Sequence, residues 1–470
     1  MGDREELEPA LEAASELARQ YIDDLARRHV GPRADSLAIM AALGRTLPDQ
    51  GVPAEAVIRE MAEAVEPGLV ASSGPRYFGF VVGGALPASI GADWLATAWD
   101  QNAVLHAASP AASAVEQVAG EWMLDLLGLP RGAAFGLPGG AGLANVVALA
   151  AARHAVLARA GWDVEARGLY GAPEITLIIG DEAHATLEAA LQYLGLGRER
   201  AIRIPTDDQG RMKADAVAAQ VRGVQGPTIV CAQAGNVNTG SFDPLESIAD
   251  ELEGLPNRWL HVDGAFGLWA AASSRLRHLV DGVERADSWA TDAHKWLNVG
   301  YDCGFIATRH PEAHRAAMST TAAYLVHDPT RRDGWEWVLD SSRRARGFAL
   351  YATLRSLGRT GVRDLIEGCC SIARRMADRL AEHPGVEILN EVVLNQVLVR
   401  FTPAGPDDAD GHTREVIRRV QQEGTAWMGG TTWHGQAAMR ISVSNWSTTA
   451  EDADATVDAI LRAHARESTP

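Results

Sequence analysis

The chain has 470 residues, 47% hydrophobic and 22% charged, the balance of a globular protein with room for a deeply buried site. Its 43 basic residues against 61 acidic ones leave a net charge of -18, and with no Lys/Arg cluster to offset that field, nucleic acid and anionic membrane surfaces are excluded as partners. No apolar run is expected to span a membrane, the charged start MGDREELEPA is unlike a signal peptide, and four cysteines without a CxxC pair argue against disulfides and a thiolate metal site, so the expectation is a cytoplasmic protein with no metal.

Residues 3 to about 66 carry helical periodicity, as in ELEPALEAASELARQYIDDLARR and AEAVIREMAEAVE, and predict an N-terminal helical segment over 1–75. From about Tyr77 short β-rich runs alternate with Ala/Leu-rich helical stretches, the texture of βα units around a mostly parallel sheet. Strands are expected at 175–179, 228–232, 259–262, 288–291 and 304–308, and helices at 142–160, 183–194 and 244–252, within a large domain over 76–346. After SSRRARG at 341–347, a long helical pattern leads to VEILNE, QVLVRF and MRISVS, with a helix at about 414–423, which predicts a small α+β domain over 347–470. The stretch 403–412 reads as an exposed loop.

The chemistry concentrates in two segments. WLHVDGAFG at 259–267 ends a strand on Asp263, and ADSWATDAHKWLNVGYDCGF at 286–305 follows a strand with His294 and Lys295. Ligands of open α/β sheets gather at the carboxyl ends of strands, so both side chains are expected in one crevice. Singly, Lys295 has an ordinary explanation as a solvated amine and Asp263 as a strand-end acid. Jointly they form the pair that a pyridoxal 5'-phosphate (PLP) enzyme needs: an amine for a Schiff base, and a carboxylate that keeps the pyridine nitrogen protonated. The turn Gly139-Gly140-Ala141-Gly142 opens a helix, where exposed N–H groups and the helix dipole suit a phosphate. In ITLIIGDEAHATLEAAL (175–191) a buried strand delivers His184 to a helix start on the same side of the sheet, where an imidazole can stack on a flat ring.

Together with HAASPAASAVEQVAGEWMLDLLGLP (106–130) and QAGNVNTGSFDPLESI (233–248), these strings resemble the PLP-dependent amino-acid decarboxylases of the aromatic-amino-acid, histidine and glutamate decarboxylase family, clearly over 70–360 and loosely beyond. The resemblance implies the aspartate-aminotransferase-like α/β fold (fold type I), a mostly parallel sheet flanked by helices, and a homodimer with shared active sites. It implies that Lys295 is the Schiff-base lysine, Asp263 the partner of the pyridine nitrogen and His184 the residue stacked on the ring. Ala265 would pack on the opposite ring face. Gly139, Gly140, Ala141, Gly142, Asp292 and His294 would surround the phosphate and the lysine, with Asn236 and Asn238 in a polar loop near the cofactor. The substrate side would be Tyr77, Phe78, Phe80 and His106 as an aromatic wall, Tyr324 and His327 from a following loop, and Arg344 or Arg346 for a carboxylate.

Two departures shape the expected reaction. The family's hydroxyl-bearing phosphate loop reads Pro138-Gly139-Gly140-Ala141-Gly142 here, so backbone N–H groups, with Ser109 or Thr186, are expected to replace the hydroxyls. No tyrosine stands in HDPTRRDGWEWVLD (327–340), where the family places its proton donor, so His327, Trp335 or a partner-subunit group is expected to serve. The leading expectation is decarboxylation of an L-amino acid with an aromatic or apolar side chain, giving an amine and CO2. Oxidative decarboxylation to an aldehyde, an aldolase or β-elimination reaction, transamination and a non-catalytic binding role stay open.

Overall fold

The computed structural model describes residues 6–319, 331–403, 405 and 408–466. Three helices come first, α1 (Leu7–Asp24), α2 (Ser36–Leu43) and α3 (Ala54–Val65). The Asp35 side chain starts α2 by accepting the Ala38 N–H. This layer buries little of itself: Leu7, Leu11, Leu37, Met40 and Leu43 all stay exposed on the protomer.

Two longer helices follow, α4 (Pro87–Trp99) and α5 (Pro110–Leu126), each with proline in its first turn, where a missing N–H costs nothing. The large sheet then forms from β1 (Ala134–Gly136), β2 (Thr176–Gly180), β3 (Ile202–Ile204), β4 (Thr228–Gln233), β5 (Arg258–Asp263), β6 (Ser288–Asp292) and β7 (Gly304–Thr308). Between them run α6 (Ala141–Arg159), α7 (Val164–Arg167), α8 (Ala185–Tyr193), α9 (Ala214–Val221) and α10 (Leu245–Leu252), and α11 (Pro311–Met318) follows β7. The strand order is β1-β7-β6-β5-β4-β2-β3; β6 through β3 are parallel, and β7 runs antiparallel to both its neighbours. Helices cover the sheet, so β5, β6 and β7 read as nearly continuous buried runs.

Helix α6 qualifies its own reading. It is long and apolar enough to cross a bilayer by composition, contrary to the expectation that no run reaches that length, but 72% of the qualifying window is buried inside the protein. Its small residues, Ala144, Ala148, Ala151 and Ala152, let it lie directly on the sheet as a core helix.

The C-terminal part consists of α12 (Gly347–Ala381), β8 (Val386–Ile388), β9 (Gln396–Phe401), α13 (Ala409–Glu423), β10 (Gly429–Trp433), β11 (Gln436–Ser442) and α14 (Ala450–Ala465), with an antiparallel sheet in the order β10-β11-β9-β8. Helix α12 kinks at Gly358, whose φ of 60° favours glycine. Helix α13 begins five residues earlier than the periodicity of 414–423 indicates, because Asp408 caps it by accepting the Asp410 N–H; residues 409–412 of the expected 403–412 loop are therefore helix. The strands β1, β3 and β10 also escape the sequence reading, being short or led by glycine.

One residue ties these parts together beside the chemistry. Asn298 accepts the Gly84 and Trp446 N–H groups through Oδ1 and donates through Nδ2 to the Trp296 and Ser444 carbonyls, all within 3.1 Å. It thereby joins the 83–86 segment, the turn after β6 and the C-terminal part.

Candidate active site

Parallel pairing sets the geometry. Strands β5 and β6 are neighbours in register, with Asp263 opposite Ala290, so their carboxyl ends open on the same edge of the sheet. Asp263 is the last residue of β5, Asp292 the last of β6, and Lys295 lies in the turn that follows. Lys295 Nζ sits 3.2 Å from Asp292 Oδ2, while Asp292 Oδ1 accepts the Ala141 N–H at 2.6 Å and lies 3.5 Å from His294 Nε2. The glycine turn, Asp292, His294 and Lys295 thus form one cluster around the start of α6. The segment before α4 presses on the same turn: a Cβ placed on Gly83 would lie 1.8 Å from the Lys295 carbonyl oxygen.

Asp263 is held by a directional chain of buried hydrogen bonds. Trp259 Nε1 donates to Ser288 Oγ at 2.8 Å, and the same hydroxyl lies 2.9 Å from His261 Nδ1, which accepts its proton because the neutral ring carries its own hydrogen on Nε2. His261 Nε2–H then donates to Asn145 Oδ1 at 3.0 Å, and Asn145 Nδ2 donates to Asp263 Oδ2 at 2.9 Å. Burial pushes the His261 pKa down to about 4, so the imidazole is neutral and the chain keeps one direction at neutral pH. The other carboxylate oxygen, Oδ1, accepts the Ala265 N–H at 3.1 Å. Asp263 is 5% exposed and has no ion pair among the described residues. Such a desolvated carboxylate, supplied only with neutral donors, suits a protonated ring nitrogen as its missing cation.

His184 caps α8, its Nδ1 accepting the Thr186 N–H at 3.2 Å, with Thr186 Oγ1 at 2.8 Å. That leaves Nε2 as the protonated nitrogen of the neutral ring. Desolvation lowers its pKa, assisted by Lys295 and Arg440 and opposed by Asp263 and Asp292. Arg440, in β11, enters no ion pair among the described residues, and burial lowers its pKa. Thr186 lies 3.6 Å from where a Cβ on Gly142 would stand, so the His184 turn and the glycine turn meet.

The expected phosphate groups divide. The N–H groups of Gly142 and Leu143 have no acceptor among the described residues, and Thr186 is at hand. Ser109 is not: it is buried, caps α5 and donates to Gln101. Asn236 and Asn238 are spent on loops, Asn236 on the Asn238 and Thr239 N–H groups and Asn238 on Thr431. Ala265 joins the two acids, since its N–H reaches Asp263 and its carbonyl accepts the Asp292 N–H at 2.9 Å.

Among the expected substrate residues, Tyr77 stacks on Trp427 at 5.1 Å and an interplanar angle of 11°, and Phe80 lies against the same indole at 5.3 Å. Phe78 is buried in the main core and is removed from the aromatic wall. His106 sits with its N–H on Asp333, and Trp335 is buried, so neither faces Lys295 through any contact in the protomer. Arg344 is committed to Asp93 and Thr97 on α4. Arg346 holds Asp302 and Asp340 instead, next to Gly139, while Arg343 is buried on Glu116. Tyr324 and His327 lie outside the described residues. Sequence reasoning missed Asn145, His261, Arg440 and Tyr301; no local motif marks them.

The model of the pyridoxal-dependent decarboxylase conserved domain matches residues 37–402. Tryptophan decarboxylase 1 of Oryza sativa subsp. japonica is 28% identical, covering 93% of this chain and 89% of its own. 4-Hydroxyphenylacetaldehyde synthase of Rhodiola rosea is 27% identical, covering 91% and 89%. The crystal structure of Oryza sativa TDC with PLP and tryptamine superposes with a TM-score of 0.90 at 24% identity, over 98% of both chains, which shows the shared fold.

Proposed function

Because the chain belongs to the pyridoxal-dependent decarboxylase family, and so is a PLP-dependent carboxy-lyase acting on an amino acid, we propose that it converts an L-amino acid with an aromatic or apolar side chain to the amine and CO2. The observation that carries this reading is the joint placement of the Lys295 amine and the cation-less Asp263 carboxylate at the ends of adjacent parallel strands. When bound, PLP supplies the electron sink for the pair left behind as CO2 departs.

The residues divide the remaining work. Lys295 Nζ would hold the cofactor aldehyde, and Asp292 orients that amine at 3.2 Å. Asp263 would stand against the ring nitrogen, and the chain ending in Asn145 fixes the orientation of its carboxylate. His184 presents a neutral imidazole, with Nε2 free to donate. Gly142 and Leu143 offer N–H groups to the phosphate, with the positive end of α6 behind them. Arg440 is the uncommitted cation for the substrate carboxylate. Phe80 and Trp427, backed by the buried Tyr77, offer the aromatic surface that selects a flat or apolar side chain. In this reading the enzyme is a homodimer, and a second copy covers Leu37, Met40 and Leu43.

A second reading, aldehyde formation with dioxygen as oxidant, draws on the absence of tyrosine from 327–340 and on the aldehyde synthase among the relatives. Incubation of the PLP-loaded protein with pooled amino acids, following CO2, amine, aldehyde and peroxide, separates the two. Amine and CO2 in equal amounts are expected; aldehyde and peroxide without amine would replace the first reading by the second. The Lys295→Ala variant should lose both the visible cofactor absorption and all CO2 release.

A further inference from the structure

Loss of CO2 leaves an electron pair on the substrate's α-carbon, and amine formation requires a proton there. The segment 327–340 holds no tyrosine to supply it. The chain has seven tyrosines, and the structure sorts them. Tyr21 packs beside Arg28 in the N-terminal layer, Tyr170 and Tyr193 are 98% and 71% exposed, and Tyr351 stacks on Trp122. Tyr324 lies outside the described residues. Tyr77 is flat against Trp427 and 6% exposed.

Tyr301 is different. It belongs to the same turn as Lys295, and two hydrogen bonds fold that turn on itself: His294 N–H to the Cys303 carbonyl at 3.1 Å and Val299 N–H to the Ala293 carbonyl at 3.2 Å. The fold-back lays the phenol ring on His294, with centroids 4.4 Å apart and planes tilted by 32°. His294 in turn lies 3.5 Å from Asp292, the ion partner of Lys295. Burial first, and the Tyr301 charge second, push the Tyr77 pKa up to about 12. The Tyr301 phenol therefore stands beside the lysine cluster. At 61% exposed, it also remains in contact with solvent.

We propose that the Tyr301 hydroxyl delivers the proton to the α-carbon after CO2 leaves, taking the place of an acid on the 327–340 segment. The proposal rests on the decarboxylation reading above and adds to it the residue that decides between amine and aldehyde. In the step, the Cα–carboxyl bond breaks with its electrons retained on Cα, the Tyr301 O–H bond breaks, and the proton forms the new Cα–H bond. The phenolate then regains a proton from water at the exposed face, which matches the one proton consumed for each amine formed. Partial desolvation first, and the Asp292 charge second, raise the Tyr301 pKa, so the phenol holds its proton at neutral pH until the carbanion draws it off. The neighbouring His294 is a poorer donor: burial lowers its pKa, and its Nδ1 accepts the Cys303 N–H at 3.1 Å.

Tyr301→Phe in the PLP-loaded enzyme tests the step with L-tryptophan, L-tyrosine and L-phenylalanine as probes. Removal of a general acid should lower amine formation by roughly 10²-fold while CO2 release persists, the rest of the substrate appearing as aldehyde, ammonia and peroxide at the expense of dioxygen and water. Amine formation within about twofold of the wild type would overturn the assignment and leave the decarboxylation reading intact. No CO2 from the wild type with any amino acid would remove that reading and the assignment together. A second measurement needs no turnover: 3-fluorotyrosine placed at 301 in the cofactor-free protein should titrate, by fluorine NMR, above the free amino acid, and Asp292→Asn should bring it down. A phenol already ionised at pH 7 could not hold the proton to be delivered and would overturn the proposal by itself.

Discussion

Asn145→Leu tests the buried hydrogen-bond chain at its most consequential link. The substitution keeps the side chain's approximate size, so the cavity contribution is small, but it removes both bonds at once. Asp263 loses a donor at 2.9 Å, and the His261 Nε2–H loses its acceptor at 3.0 Å. A hydrogen bond to a charged group contributes about 1.5–3 kcal/mol, and a buried donor left unmade costs about 1–3 kcal/mol, which together give a loss of about 2.5–6 kcal/mol. Urea unfolding of the cofactor-free protein, followed by tryptophan fluorescence, reads that loss. The double variant Asn145→Leu/His261→Phe removes the stranded donor, so it should lose less than the sum of the two single variants. A single-variant loss under about 1 kcal/mol, or strict additivity in the double, would refute the claim that these residues act as one chain on Asp263.

Two further outcomes follow from other parts of the structure. Burial holds the His261 and His314 pKa values at about 4 and about 3, against an unfolded value of 6.5, while burial of Asp243 raises its pKa from 3.8 to about 6. Between about pH 6 and pH 4 the unfolded chain binds two protons at the histidines that the native state refuses, and the native state binds one at Asp243. These three groups together should lower stability as pH falls, by about 1.4 kcal/mol per unit, and denaturant midpoints that rise on acidification across that window would contradict the burial argument. Gly83→Ala forces a Cβ to within 1.8 Å of the Lys295 carbonyl, so the turn must move. Overpacking of this kind costs about 1–3 kcal/mol, and PLP affinity measured by absorbance should drop with it; unchanged affinity would show that the turn tolerates displacement.

Much of this site was legible in the sequence because its parts are local. A buried strand that ends on an acid, a strand followed by His294-Lys295, and glycines before an Ala-rich helix are patterns carried by neighbouring residues, and parallel pairing brings such strand ends to one edge. The same locality made the strands 228–232 and 304–308 readable to within one residue. What failed was whatever depended on a distant partner. Arg344 and Arg346 are indistinguishable in SSRRARG, and only the acids that α4 and the Lys295 turn supply, Asp93 and Asp302, decide which of them stands beside Gly139. Phe78 and Phe80 look alike as members of an aromatic wall, yet one enters the core and the other stays exposed.

By itself, then, the sequence determined the α/β architecture and the positions of Asp263 and Lys295 at the carboxyl ends of neighbouring strands, since both follow from short-range pattern and from the pairing of parallel strands. The tertiary structure alone decided how Asp263 is supported and what stands beside Lys295. Asn145 reaches Asp263 from α6, His261 and Ser288 meet across β5 and β6, and Tyr301 folds back onto His294. Hydrogen bonds and ring contacts between residues so far apart, or across a folded turn, leave no periodicity in the chain, and they become visible only when packing has set the distances.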